Sequence, residues 1–159
     1  MLLVQKDKCH IRNNDPEAQV ITEASGASAA NNEIRRKVLD QPPLLSKVMG
    51  GITLRGTMPT FYRVLVTTEL VTSVRRGAYP GPNTPTVVYV HIPNLPRPDS
   101  RWSEGMKPLD NRDILLSCYK AFKTFVNRCE WVGHITCGRE VGGSMYSVRR
   151  YTYYSLLSV

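Results

Sequence analysis

"PTFYRVLVTTELVTSVRRGAYPGPNTPTVVYVHIPNLPRP" (residues 59–98) decides the fold, because it reads as two strands separated by a stiff loop. Between residues 61 and 74 the side chains alternate. Tyr62, Val64, Val66, Leu70 and Val74 fall on one face, while Arg63, Thr67, Glu69 and Ser73 share the other with Phe61, Leu65 and Val71. Period two with β-branched enrichment predicts a half-buried strand over 61–74. Residues 77–86, "GAYPGPNTPT", are too long and too rich in proline for a two-residue hairpin turn. Pro80, Pro82 and Pro85 remove ladder donors, so the loop cannot lengthen the sheet. Val87 to Ile92 read as the returning strand, and "PNLPRPDSRWSEGMKP" as a second irregular excursion.

Downstream, Ile114, Leu115, Cys118, Phe122, Phe125, Val126 and Cys129 recur at spacings of three and four, the stripe of an amphipathic helix over 111–129. Asp110 or Asn111 suits its N-cap, and Lys120, Lys123, Asn127 and Arg128 fall largely off the stripe. Residues 131–137 read as a strand, Gly142-Gly143 as a turn, and "SMYSVRRYTYYSLLSV" as a terminal strand. Upstream, residues 13–33 are rich in Asn, Ala, Ser and Gly without a sustained period, which reads as flexible chain. "IRRKVLDQPPLLSKVMGG" allows a helical turn or two before Pro42 and Pro43 interrupt, with Gly50-Gly51 as its close. The expectation is an α+β fold: an antiparallel sheet with one principal amphipathic helix over 51–159, preceded by a flexible N-terminal arm over 1–50 that carries a proline-containing docking segment.

A length of 159 residues has room for one domain and an arm, and a hydrophobic share of 42% supplies a core. No apolar run approaches the roughly 20 residues that span a bilayer. The opening "MLLVQKDK" turns charged too soon for a signal peptide. Cys9, Cys118, Cys129 and Cys137 have irregular spacing, so free thiols in a reducing compartment are expected. The net charge of +8 is the strongest compositional signal. Residues 1–60 hold 8 basic and 6 acidic side chains; residues 61–159 hold 13 and 7. Such a balance attracts nucleic acid, nucleoprotein or an anionic leaflet.

Motifs for catalysis are lacking. Cys118, Cys129, His134 and Cys137 form a C-x10-C-x4-H-x2-C series, but zinc sites favour paired short spacings, and two of these cysteines lie on the apolar stripe. His10, His91 and His134 lie in the arm, in a strand beside prolines and in a strand, with no orienting partner evident. Neither phosphate-cradling glycine signature is present. The expectation is therefore a non-enzymatic protein with no metal or cofactor. Its polyanion contacts are assigned to Arg75, Arg76, Lys120, Lys123, Arg128, Arg149 and Arg150, with Arg35-Arg36-Lys37 as a further basic cluster. Tyr151, Tyr153 and Tyr154 beside Arg149-Arg150 suit base stacking by a single-stranded RNA module, or half-buried packing on a sheet. Pro42, Pro43, Leu44 and Leu45 are the candidate self-association segment, able to chain copies together. A small jelly-roll capsid protein is a further alternative, against which the helix at 111–129 argues.

Taken in order, the proline-containing arm, the alternating run "FYRVLVTTELVTSVRR", and the helix "DNRDILLSCYKAFKTFV" followed by further strands are similar to the matrix proteins of rhabdoviruses, particularly the compact ones of plant cytorhabdoviruses. The likeness is carried by order and pattern over residues 42–159. It implies a virion protein that self-associates, condenses the helical nucleocapsid in the host cytoplasm, and bridges it to the inner leaflet of the envelope. Animal-virus members often carry a Pro-Pro-x-Tyr budding motif, whereas here Pro42-Pro43-Leu44-Leu45 lacks the tyrosine, and the 77–86 loop is longer than the likeness suggests.

Overall fold

The computed structural model describes residues 5–7, 16–78, 86–97, 104–131 and 148–152, with the backbone alone for 5–7, 16, 128–131 and 148–152. The elements are β1 (Gln5–Asp7), α1 (Pro16–Lys37), β2 (Ser46–Arg55), β3 (Met58–Thr67), α2 (Thr68–Arg75), β4 (Val87–His91), α3 (Leu109–Trp131) and β5 (Val148–Thr152). The strands form one sheet in the order β1-β2-β3-β4-β5, parallel between β1 and β2 and antiparallel elsewhere. The fold is α+β, as the hydrophobic periods imply.

Two adjacent glycines show how the layers are arranged. Successive residues of a strand point to opposite faces. A Cβ on Gly51 would meet Val20 of α1 at 2.9 Å, and one on Gly50 would meet Phe122 of α3 at 2.8 Å. Helices therefore cover both sides of β2, with α1 and α2 on one face and α3 on the other. The larger core lies under α1 and α2: Val20, Ala24, Met49, Tyr62, Val64, Val66, Leu70, Val88 and Val90. Each fully buried Val there contributes about 1.5–3 kcal/mol relative to an exposed one. On the α3 face, Phe61 packs edge-on to Tyr119 and tilted against Phe122, with ring centroids 5.2 Å apart in both cases. A smaller cluster of Met58, Leu95 and Leu115 closes the end near the β2–β3 hairpin. There Gly56 adopts φ +60°, a conformation that two-residue hairpin turns favour in glycine.

The first expectation to be corrected is the arm. Residues 16–37 form a helix seated on the sheet, and the expected boundary near residue 50 falls inside β2. Large apolar side chains are sparse in α1, so its period is faint. Its buried face is Val20, Ala24, Ser25 and Ser28. Small residues bring the helix close to the strands, and the Ser25 hydroxyl is satisfied by donating to the Ile21 carbonyl at 2.8 Å. Pro16 at the first position and Arg35, Arg36 and Lys37 in the last turn suit helix termini.

The second correction concerns the 61–74 strand, which ends at Thr67. There the hydroxyl accepts from the Leu70 N–H at 3.2 Å, an N-cap that starts α2. Leu70 and Val74, spaced four apart, stay on the covered face as helical rather than strand residues. The helix closes in a Schellman motif: Gly77 N–H donates to Val74 O and Ala78 N–H to Ser73 O, with Gly77 at φ +63°. The principal helix also runs longer than expected, from Leu109 to Trp131, so Trp131 closes α3 instead of opening a strand. Neither expected cap holds: Asp110 lies in the first turn of α3 and Asn111 is a buried helical residue. Of the strand expected at 131–137, residues 132–137 lie outside the described residues, as does the turn at 142–143; of the terminal strand expected over 144–159, Val148–Thr152 form β5 and the rest lies outside the described residues.

Candidate polyanion interface

Two basic runs far apart in sequence meet at one corner. The last turn of α1 carries Arg35, Arg36 and Lys37, where cations complement the carbonyl end of the helix dipole. The last turn of α2 carries Arg75, followed by its C-cap Arg76, and both are exposed. Glu33 shows that the two ends share a field. Its carboxylate lies 2.6 Å from the Lys37 ammonium and is held below the usual glutamate range, first by Lys37 and then by Arg36 and Arg75. Residues 32–45 and 72–77 together hold five basic and two acidic side chains, a net charge of +3.

The loop between α1 and β2 runs from the end of α1 to the start of α2, so it borders this corner along the length of α2. Asn32 clamps it from α1: its Nδ2 donates to Leu44 O at 3.0 Å and its Oδ1 accepts from Leu44 N–H at 2.9 Å. Arg35 Nε donates to Pro42 O at 3.1 Å, while Leu45 O accepts from both the backbone and the hydroxyl of Thr68. Pro42, Pro43 and Leu45 are thus exposed on an ordered loop, and Leu44 is half-buried.

Lys120 and Lys123 lie elsewhere, exposed on α3 across the sheet from Arg75 and Arg76. Arg128 continues the same helix. Arg149 and Arg150 occupy β5, paired with Val90 and Tyr89, and Tyr151 pairs with Val88; Tyr153 and Tyr154 lie outside the described residues. The seven expected contact residues therefore do not form one patch. They divide between the two outer layers and an edge strand. Arg63, which sequence reasoning placed only on a strand face, lies on the α3 side with its guanidinium 5.2 Å from the Tyr89 ring centroid and 5.8 Å from that of Phe125. The signal for it was the break in an otherwise apolar run at a position that an aromatic pair later covers.

One sulfur–imidazole contact also emerges from residues 27 apart in sequence. Cys118 Sγ lies 3.6 Å from His91 Nε2. Burial pushes the thiol above its ordinary range and the imidazole below. Both shifts favour the neutral forms, opposite to the thiolate–imidazolium state that a cysteine nucleophile needs. The pair packs beside Phe61, whose ring centroid is 6.0 Å from that of His91. Among the described residues no three His, Cys, Asp or Glu side chains converge on a possible metal position, and no helix is long and apolar enough to cross a membrane. His134 and Cys137 of the C-x10-C-x4-H-x2-C series lie outside the described residues.

No protein-family model matches the chain, and no curated protein or solved structure matches it significantly.

Proposed function

We propose that this is a non-enzymatic structural protein of matrix type, which self-associates and bridges a nucleoprotein to an anionic membrane surface. The observation that supports this reading is the two-sided distribution of cations. Arg35, Arg36, Lys37, Arg75 and Arg76 gather at the α1–α2 corner, while Lys120 and Lys123 lie on α3 across the sheet. A module that wraps a single polyanion places its cations along one groove; a bridge needs them on opposite sides. Self-association would add avidity, so a modest charge per copy suffices on a repeating partner.

The test is titration of the full chain with single-stranded RNA at several salt concentrations, with light scattering on the same samples. On a single strand each phosphate contact contributes about 0.7 to the slope of log K against log salt. The double variant Lys120→Glu with Lys123→Glu should lower that slope by about one to two units, and the RNA-bound wild type should form assemblies larger than a monomer. A monomer at every salt concentration, with an unchanged slope in the variant, rejects the reading. If instead Tyr151→Ala with Tyr153→Ala abolishes binding, the protein is a base-stacking RNA module.

A further inference from the structure

We propose that the corner formed by the C-terminal ends of α1 and α2 and the 38–45 loop is a lipid-docking surface, which inserts Val38, Leu39 and Leu45 among the headgroups of an anionic bilayer. The proposal rests on the bridging reading and names which side of the bridge meets the membrane.

Among the described residues, four exposed aliphatic side chains lie along this surface, whereas exposed Leu65, Leu109 and Leu116 are spread over β3 and α3. Ile34, Val38, Leu39 and Leu45 are 54%, 73%, 53% and 80% exposed, all within a segment of the chain that turns from α1 into β2. They are not loose ends able to fold back onto the core. Gln41 N–H donates to Arg35 O at 2.8 Å, Arg35 holds Pro42, Asn32 holds Leu44 at both its N–H and its carbonyl, and Thr68 holds Leu45. Asp40 takes the left-handed conformation, φ +49°, to make the turn. The loop is thus pre-organised with its apolar side chains outward, and ordering it on a surface costs little further entropy.

Three occupants compete for such a corner, and charge chooses among them. An RNA backbone would satisfy the arginines but leave four aliphatic side chains in water. A second copy docked through the same patch would bring a net charge of +3 against itself. An anionic bilayer supplies both complements: phosphate and carboxylate headgroups for Arg35, Arg36, Lys37, Arg75 and Arg76, and acyl chains below them for the aliphatic side chains. The Pro42–Leu45 segment, expected from sequence to join copies, is on this argument a lipid contact.

The experiment is flotation of the full chain with vesicles of phosphatidylcholine alone or with about 30 mol% phosphatidylserine, with RNA binding and light scattering measured in parallel. Wild type should float with the anionic vesicles only. The triple variant Val38→Ser, Leu39→Ser, Leu45→Ser changes exposed positions only and should lose at least about tenfold in vesicle affinity, and Arg75→Glu with Arg76→Glu should lose as much, both with RNA binding intact. Lys120→Glu with Lys123→Glu should float as wild type does. Flotation of the triple serine variant at wild-type strength overturns the proposal, as does a change in its assembly size without a change in flotation, which would assign the corner to a second copy. A wild type that floats with anionic vesicles while the triple serine and the Arg75→Glu, Arg76→Glu variants float equally well overturns the assignment of this corner alone; a wild type that ignores anionic vesicles removes the bridging reading as well.

Discussion

Gly51→Ala decides by its sign whether α1 belongs to the fold. The new Cβ would lie 2.9 Å from Val20 Cγ1, whereas carbon atoms rest at about 3.5–4.0 Å, so the overlap is roughly 0.6 Å or more. Val20 is 2% exposed, and a β-branched side chain cannot swing away, so α1 itself has to shift. Overpacking of this kind costs about 1–3 kcal/mol. Against it stands the gain from restricting the unfolded chain, about 0.4–1 kcal/mol for a glycine replaced by alanine. The clash wins, and the expected net loss is about 1–2 kcal/mol, which lowers Tm by roughly 2–8 °C in a chain of this size. Thermal and urea unfolding followed by circular dichroism measure it. The double variant Gly51→Ala with Val20→Ala should cost less than the two single changes added together, because trimming Val20 makes room for the new Cβ, which in turn fills part of the space left. If residues 16–37 were a free arm, Gly51→Ala would be neutral or stabilising and the pair additive; that result refutes the packing of α1.

Gly26 lies exposed within α1 with nothing near its would-be Cβ, so Gly26→Ala should stabilise by about 0.5–1 kcal/mol, seen as a rise in Tm. Asn32→Ala removes both hydrogen bonds to Leu44 and should make the chain more sensitive to limited proteolysis between residues 38 and 45, with a stability loss of about 1–2 kcal/mol. Asn111 is fully buried and donates to the Gly105 carbonyl at 3.1 Å, so Asn111→Ala should cost about 1–3 kcal/mol in urea unfolding. His91, with Cys118 against its ring, is held below its ordinary value of 6.5 by burial. The unfolded chain therefore takes up a proton that the folded chain resists, and stability should fall as pH drops from about 6.5 toward the folded value. Comparing Tm at neutral and mildly acidic pH, wild type should lose more than His91→Gln; an equal loss removes His91 from the acid response.

The sheet's centre was legible because Tyr62, Val64 and Val66 alternate cleanly, and α3 because its aromatic stripe is strong. Three features were hidden for physical reasons. α1 buries Ala24, Ser25 and Ser28 where a periodic pattern needs large apolar residues, so it resembles a linker. β2 carries Gly50-Gly51 at its middle, which reads as a turn until helices on both faces explain the missing side chains. The switch from β3 to α2 keeps Leu70 and Val74 in phase with the strand by coincidence of spacing, although Thr67 as N-cap and Gly77 as the left-handed terminator were readable signals. Of the candidate interface, the basic clusters themselves were visible. That Arg35–Lys37 and Arg75–Arg76 join, while Lys120 and Lys123 lie across the sheet, depends on packing that no local pattern encodes.

The most direct test of the bridging claim is co-flotation of fluorescent single-stranded RNA with phosphatidylserine-containing vesicles in a density gradient. RNA should rise with the vesicles only when the full chain is present. Arg75→Glu with Arg76→Glu should leave protein and RNA together at the bottom, and Lys120→Glu with Lys123→Glu should let the protein rise without RNA. If RNA instead displaces the protein from vesicles, a single polyanion surface serves both partners, and the two-sided account is wrong.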